Sequence, residues 1–208
     1  PADCFKACEK YWWPRILDKD PATHVELEFF DEQTQLSAPH PANNRELKPF
    51  IDCYSNAMQG VTPEGYHNAP IKISGGPKVG RLCITGIDDE AKTSSIVNTV
   101  ALIRSGLVIE YCKNYAREDD PLAVGIFNAL GSKPKQAFML SEPEAHDKWD
   151  ENNQRLLRSM GEDAVRWVRL THSRIKETFR DFQVRLRKPV HEQTGAGPAT
   201  QWGQFLGL

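Results

Sequence analysis

Between Asp150 and Pro189, apolar residues recur at Leu157, Met160, Ala164, Trp167, Thr171, Ile175, Phe179, Phe182 and Leu186, in steps of three or four. That is the helical period, and it predicts a long amphipathic helix. With Trp167 at zero on a wheel turning about 100° per residue, Leu156, Met160, Ala164, Thr171, Ile175 and Phe182 lie within about 80° of it. Arg158, Arg169, Lys176, Arg180 and Arg187 lie on the far side, at about 180 to 220°. One face is expected to bury against a core while the other is a ladder of cations. Gly161 either kinks this helix or separates it from a second one starting at Glu162 and Asp163.

Earlier in the chain, Phe5, Cys8, Trp12 and Ile16 share a face of a short helix over Asp3–Leu17, which Pro14 should bend or end. Trp12 and Trp13 are read as core packing, with an interface anchor as the alternative. Val25, Leu27 and Phe29 alternate with His24, Glu26 and Glu28, as in a strand over Thr23–Phe30. Arg45–Met58 reads as a helix broken by Pro49. Ile71–Ile87 reads as a hairpin turning at Ser74–Gly80. Asp88, Asp89 and Glu90 then suit the N-terminus of a long helix to about Tyr115. Its stripe is Ile96, Val100, Ile103, Leu107 and Tyr111. Pro121–Leu130 reads as a further apolar helix stopped by Gly131. Ser141-Glu142-Pro143-Glu144 has the form of a capping box, opening a helix to about Ser159.

These elements predict a mainly α protein, a helix-bundle core with a small β-hairpin or sheet in the N-terminal half. Residues 1–189 are read as a single α-rich domain, with the hairpin in 1–87 and the bundle in 88–189. Residues 190–208 form an extended tail rich in Gly, Pro, Thr and Gln. Trp202, Phe205 and Leu206 have little use in a free polar tail, so they are expected to pack on a neighbouring molecule.

Composition narrows this only slightly. The chain has 208 residues, 39% hydrophobic and 26% charged, as in an ordinary globular protein. No apolar run approaches the roughly 18 residues needed to span a bilayer. The start, Pro1-Ala2-Asp3-Cys4, lacks a basic-then-apolar design, so no secretory leader is expected. Cys4, Cys8, Cys53, Cys83 and Cys112 are scattered, which suits reduced, mostly buried thiols in a cytoplasmic protein. His24, His40, His67, His146, His172 and His191 do not pair at metal spacing. No cofactor or metal is expected, and none of the common nucleophile, zinc or dinucleotide motifs is present. The glycines at Gly75–Gly80 lack the Gly-Lys-Ser/Thr of a phosphate loop. An enzyme would therefore need a site assembled from distant residues. A large concave pocket with perturbed titratable groups would support one.

Charge is distributed unevenly. From Arg155 to Lys188 there are ten Lys and Arg against four Asp and Glu, a balance of +6. The whole chain is −2, so the remainder is −2 − 6 = −8. A one-sided row of cations suits the phosphate backbone of single-stranded RNA, bound without sequence preference. Arg155, Arg158, Arg169, Lys176, Arg180 and Arg187 are the candidate contacts. The alternative is a protein-interaction module whose basic helix docks an acidic partner, including the acidic surface of another copy.

Three short pieces carry a likeness. They are Arg158-Ser159-Met160-Gly161-Glu162-Asp163-Ala164-Val165, Ser173-Arg174 followed by Phe179, and Gly197-Pro198-Ala199-Thr200. Together the C-terminal third resembles the coat proteins of rod-shaped plant RNA viruses, the tobamovirus-like and benyvirus-like group. The resemblance implies a helix-bundle subunit that assembles helically around RNA, located in a virion or the host cytoplasm. It also implies Arg155 and Arg158 as RNA contacts and Glu162 and Asp163 as intersubunit carboxylates. The continuation through Gln201 to Leu208 departs from that pattern.

Overall fold

The computed structural model describes residues 2–37, 40–88, 96–113, 115 and 120–187. Helix α1 (Ala2–Ile16) leads to a small hairpin of β1 (Phe29–Asp31) and β2 (Thr34–Leu36), then to α2 (Lys48–Gln59). The main sheet is built from β3 (Tyr66–Lys72), β4 (Lys78–Gly86), β5 (Val100–Arg104), β6 (Leu107–Cys112) and β7 (Ala123–Ala129). Helices α3 (Ser132–Ser141) and α4 (Gln154–Leu186) follow. The strand order is β3-β4-β7-β5-β6, antiparallel throughout except for the parallel β5–β7 pair.

This is an α/β fold, and the mainly α, helix-bundle expectation is overturned. The sheet is the centre of the molecule, and each of its faces is covered. Leu82, Ile84, Val100, Leu102 and Phe127 pack against α3 and α4, with Phe138, Val168, Ile175 and Phe179. Cys83, Ala101, Ile103, Val124 and Ile126 pack against α1 and α2, with Trp13, Leu47, Phe50 and Cys53. The sheet takes strands from both sides of position 87.

The long helix expected from Asp88 to Tyr115 is a hairpin instead, over its described part; Asp89 and Glu90 lie outside the described residues. Ser105 and Gly106, both at positive φ (52° and 76°), make the two-residue turn between β5 and β6. The stretch is rich in Val and Ile, which favour strands. Buried on two sides, it lacks the alternation of a half-exposed strand. The expected helix over Pro121–Leu130 is β7 for the same reason, since all seven of its residues are buried. The expected capping box is a chain stop. Ser141 ends α3, its hydroxyl donating to the Phe138 carbonyl at 2.7 Å, and residues 142–153 are loop. The strand over Thr23–Phe30 contracts to its last two residues plus Asp31.

Helix α3 was not expected; the remaining elements lie closer to expectation, with corrections at particular residues. The hairpin at Ile71–Ile87 is β3–β4. Pro49 sits in the first turn of α2, where its missing N–H costs nothing, so it starts that helix rather than breaking it. Gly161, at φ 75° and ψ −175°, interrupts α4 and leaves a short segment before it and a long one after it. The buried face of the long segment is centred on Val168, Thr171, Ile175 and Phe179. Trp167 stands beside that face, half-buried against the β3–β4 turn: a side chain at Gly76 would come within 3.2 Å of its indole nitrogen.

Candidate functional site

A groove of about 820 Å³ runs beside β6. Its base is Leu107–Tyr111 together with Lys113. One wall is α1, with Cys8, Lys10, Tyr11 and Trp12. The other is the loop after α3, with Glu142, Ala145, His146 and Asp147. β6 is the last strand of its sheet, and among the described residues no strand pairs with its outer side.

The α1 wall is set by the Trp12-Trp13 pair, which splits the two readings of it. Trp13 is fully buried and donates from its indole to the Tyr111 hydroxyl at 3.0 Å. That hydroxyl donates in turn to the Lys10 carbonyl at 2.7 Å, fixing α1 to β6. Trp12 stays partly exposed on the groove rim. The Lys10 ammonium lies 5.2 Å from the centre of the Tyr111 ring, a cation–π distance.

The loop wall is set by Glu142, whose side chain is fully buried. Arg104 Nε donates to Oε1 at 2.6 Å and Nη2 to Oε2 at 2.9 Å, a two-toothed pair. Trp149 Nε1 donates to Oε1 at 3.3 Å. His146 Nδ1 lies 2.9 Å from Oε2. His146 holds a positive φ of 52°, secured by this bond and by its N–H to the Pro143 carbonyl. Asn153 donates to the Glu142 carbonyl at 2.9 Å and pins the far end of the loop.

Glu110 projects from β6 toward this loop. Burial, and then the Asp147 carboxylate, push its carboxyl above the ordinary range, with Lys148 and Cys112 opposing. Cys8 is also raised, by burial and then by Cys4 one helical turn away. A thiol held in its protonated form is poorly poised as a nucleophile. Among the described residues no three His, Cys, Asp or Glu side chains converge as a metal site would.

The six candidate RNA contacts do not form one ladder. Arg155 and Arg158 stand before the Gly161 break, off the axis of the rest. Arg180 donates to the Tyr115 carbonyl at 2.8 Å, and Arg187 pairs with the buried Asp120 carboxylate at 2.5 Å. Arg155, Arg158, Arg169 and Lys176 are exposed. Glu162 and Asp163 are exposed in the first turn after the break, where the helix dipole favours acids. Trp202, Phe205 and Leu206 lie outside the described residues. No described helix is long and apolar enough to cross a membrane.

Sequence reasoning missed the groove altogether. Arg104 and Glu110 were hidden inside the misassigned helix, and Glu142 inside the supposed capping box. The signal that could have exposed them is Ser105-Gly106 between two Val/Ile-rich runs, a hairpin signature. Compared with family models, with curated proteins and with solved structures, the chain shows no match to any.

Proposed function

We propose that this chain is a protein-interaction domain that holds an extended polypeptide segment in the groove beside β6. The observation that carries the reading is the coincidence of groove and strand edge: consecutive residues of the outermost strand line the concavity. An edge strand offers main-chain N–H and C=O groups in the spacing an incoming strand needs, and side chains on the walls add selectivity. The volume also falls in the range of ligand sites, roughly 300 to 1,000 Å³. The perturbed Glu110 favours a functional site over an inert crevice.

The test is to narrow the groove. Ala145 is exposed on the loop wall and belongs to neither core. Ala145→Trp should leave the circular dichroism spectrum and melting point unchanged while abolishing binding of short peptides selected against the parent from a displayed random library. Selected peptides that bind the variant as well as the parent would sink the groove reading.

A second reading is favoured by one separate observation. Among the described residues, the side chains of Arg155, Arg158, Arg169 and Lys176 make no ion pair or hydrogen bond. Single-stranded RNA held electrostatically on this side of α4 is the reading they support. The helix-bundle fold implied by the coat-protein likeness is no part of it.

A further inference from the structure

The two walls of the groove differ in charge. On the α1 side the Lys10 ammonium rests over the Tyr111 ring. On the loop side stand Glu110 and Asp147, neither within salt-bridge distance of a described cation. Glu142 is not available to a ligand, because Arg104, His146 and Trp149 already occupy its oxygens. The loop wall thus carries two carboxylates in no close ion pair, opposed at longer range by Lys148, with Lys113 at the groove base.

The backbone decides which side chains of a guest would meet that wall. The β5–β6 register shifts between Leu102↔Glu110 and Ile103↔Val108, leaving Ile109 as an extra residue. This bulge puts Glu110 on the α3/α4 side, opposite Leu102 and next to Asp147. Past the bulge, Glu110, Tyr111 and Cys112 pair regularly with β5, so the outer edge is straight there. A strand added to that edge would send alternate side chains to the α1 wall and to the loop wall. The residues in one of its two phases would therefore face Glu110 and Asp147.

Resting on the binding function proposed above, we infer that the guest is a short strand-forming peptide segment that places a lysine or arginine side chain between Glu110 and Asp147. A cation there neutralises two carboxylates that otherwise repel each other in a partly desolvated site. The Glu110 carboxyl is raised by burial first and by Asp147 second, with Lys148 only partly offsetting them. The opposite phase of the strand meets Tyr11, Trp12 and Lys10, an aromatic surface suited to apolar or acidic residues. The bulge also limits the regular edge to a few residues, so main-chain pairing alone would be weak and the side-chain contacts would carry selection.

The experiment uses the full chain as bait for a displayed library of random short peptides, followed by affinity measurements and amide hydrogen exchange on the selected peptides. The expected result is a motif with Lys or Arg at one fixed position, slower exchange of the β6 amides on binding, and about tenfold or greater weakening in the double variant Glu110→Gln, Asp147→Asn. Each single variant should weaken binding less, which distinguishes lost charge from a fold defect. If β6 is protected but the motif lacks a fixed cation, or the double variant binds equally well, the cation inference is overturned while the groove reading survives. If no peptide is enriched, or β6 exchange does not change, both fall. Concentration-dependent dimerisation abolished by Ala145→Trp would make the occupant a second copy and overturn the inference as well.

Discussion

Arg104 and Glu142, 38 positions apart, meet through two parallel hydrogen bonds of 2.6 and 2.9 Å where the β5–β6 turn reaches the loop after α3. The pair joins the sheet to the loop wall, so it holds the groove at its width. The Glu142 side chain is fully buried and that of Arg104 is 17% exposed. Glu142→Ala would strand the guanidinium without a partner. Breaking a buried pair from one side costs about 3 to 5 kcal/mol, and urea denaturation should show a loss of that size. A loss below about 1 kcal/mol would mean that water replaces the carboxylate freely.

Glu110 should make stability depend on pH in a defined direction. Its native carboxyl holds a proton more tightly than the unfolded one, whose ordinary value is 4.5. Its contribution is therefore complete below about 4.5 and is lost as pH rises through the elevated native value. Glu110→Gln removes that loss. The variant should melt higher than the parent at pH 7 and equal to it near pH 4. A parent-like melting point at both values would show that the carboxylate is fully solvated.

His172, on the same α3/α4 side of the sheet, should act in the opposite sense. Burial lowers its affinity for a proton, against the opposing influence of Glu151 and the Trp149 backbone. Its Nδ1 lies 2.7 Å from the Tyr115 hydroxyl, and among the described residues its buried Nε2 makes no hydrogen bond within normal geometry. The native state prefers the neutral ring, so stability is complete above about 6.5 and falls as pH drops through the lowered native value. A melting curve series from pH 7.5 to 5 should slope downward in the parent and less so in His172→Gln.

Gly80 should tolerate no side chain. A Cβ there would lie 2.4 Å from Phe127 Cζ and 2.5 Å from the Asn128 carbonyl oxygen. One contact is with a packed ring and the other with the backbone of the neighbouring strand, so neither can swing away. Gly80→Ala should cost about 1 to 3 kcal/mol as an overpacked site. An unchanged denaturation midpoint would require β4 and β7 to separate at no cost.

The exposed cations of α4 make a quantitative statement about the second reading. Each phosphate neutralised on single-stranded RNA contributes about −0.7 to the slope of log affinity against log salt. Arg158, Arg169 and Lys176 engaged together would give about −2, reduced toward zero when all three are changed to Gln. A flat salt dependence would remove RNA from consideration for this surface.

How far the sequence could be read depended on how many sides of an element are buried. α4 was legible because one face is solvated and the period shows. The β3–β4 hairpin was legible because its turn is rich in glycine. β7 carries no period to read, since Val124 and Ile126 face one core while Ala123, Phe127 and Ala129 face the other. The cation ladder was half legible. Exposure follows from the period, but Arg180 and Arg187 are engaged by the Tyr115 carbonyl and the Asp120 carboxylate, groups more than sixty positions away in sequence. The groove needed three separate segments brought together, and no local pattern announces that.

The last strand in sequence is the middle strand in space. Each of the two main hairpins closes over a short turn, but β7 must pair with β4 at Gly80↔Ala129 and with β5 at Val100↔Gly125 before they become one sheet. Until then each hairpin is a two-stranded ribbon, marginal by itself in water. During synthesis, β4 and β5 thus wait with open edges until residues 123–129 have left the ribosome. The order of emergence makes closure of the sheet wait for a strand distant in sequence from both of its neighbours. A chain interrupted before that strand would be a pair of unjoined ribbons, prone to finding their missing neighbour in another molecule.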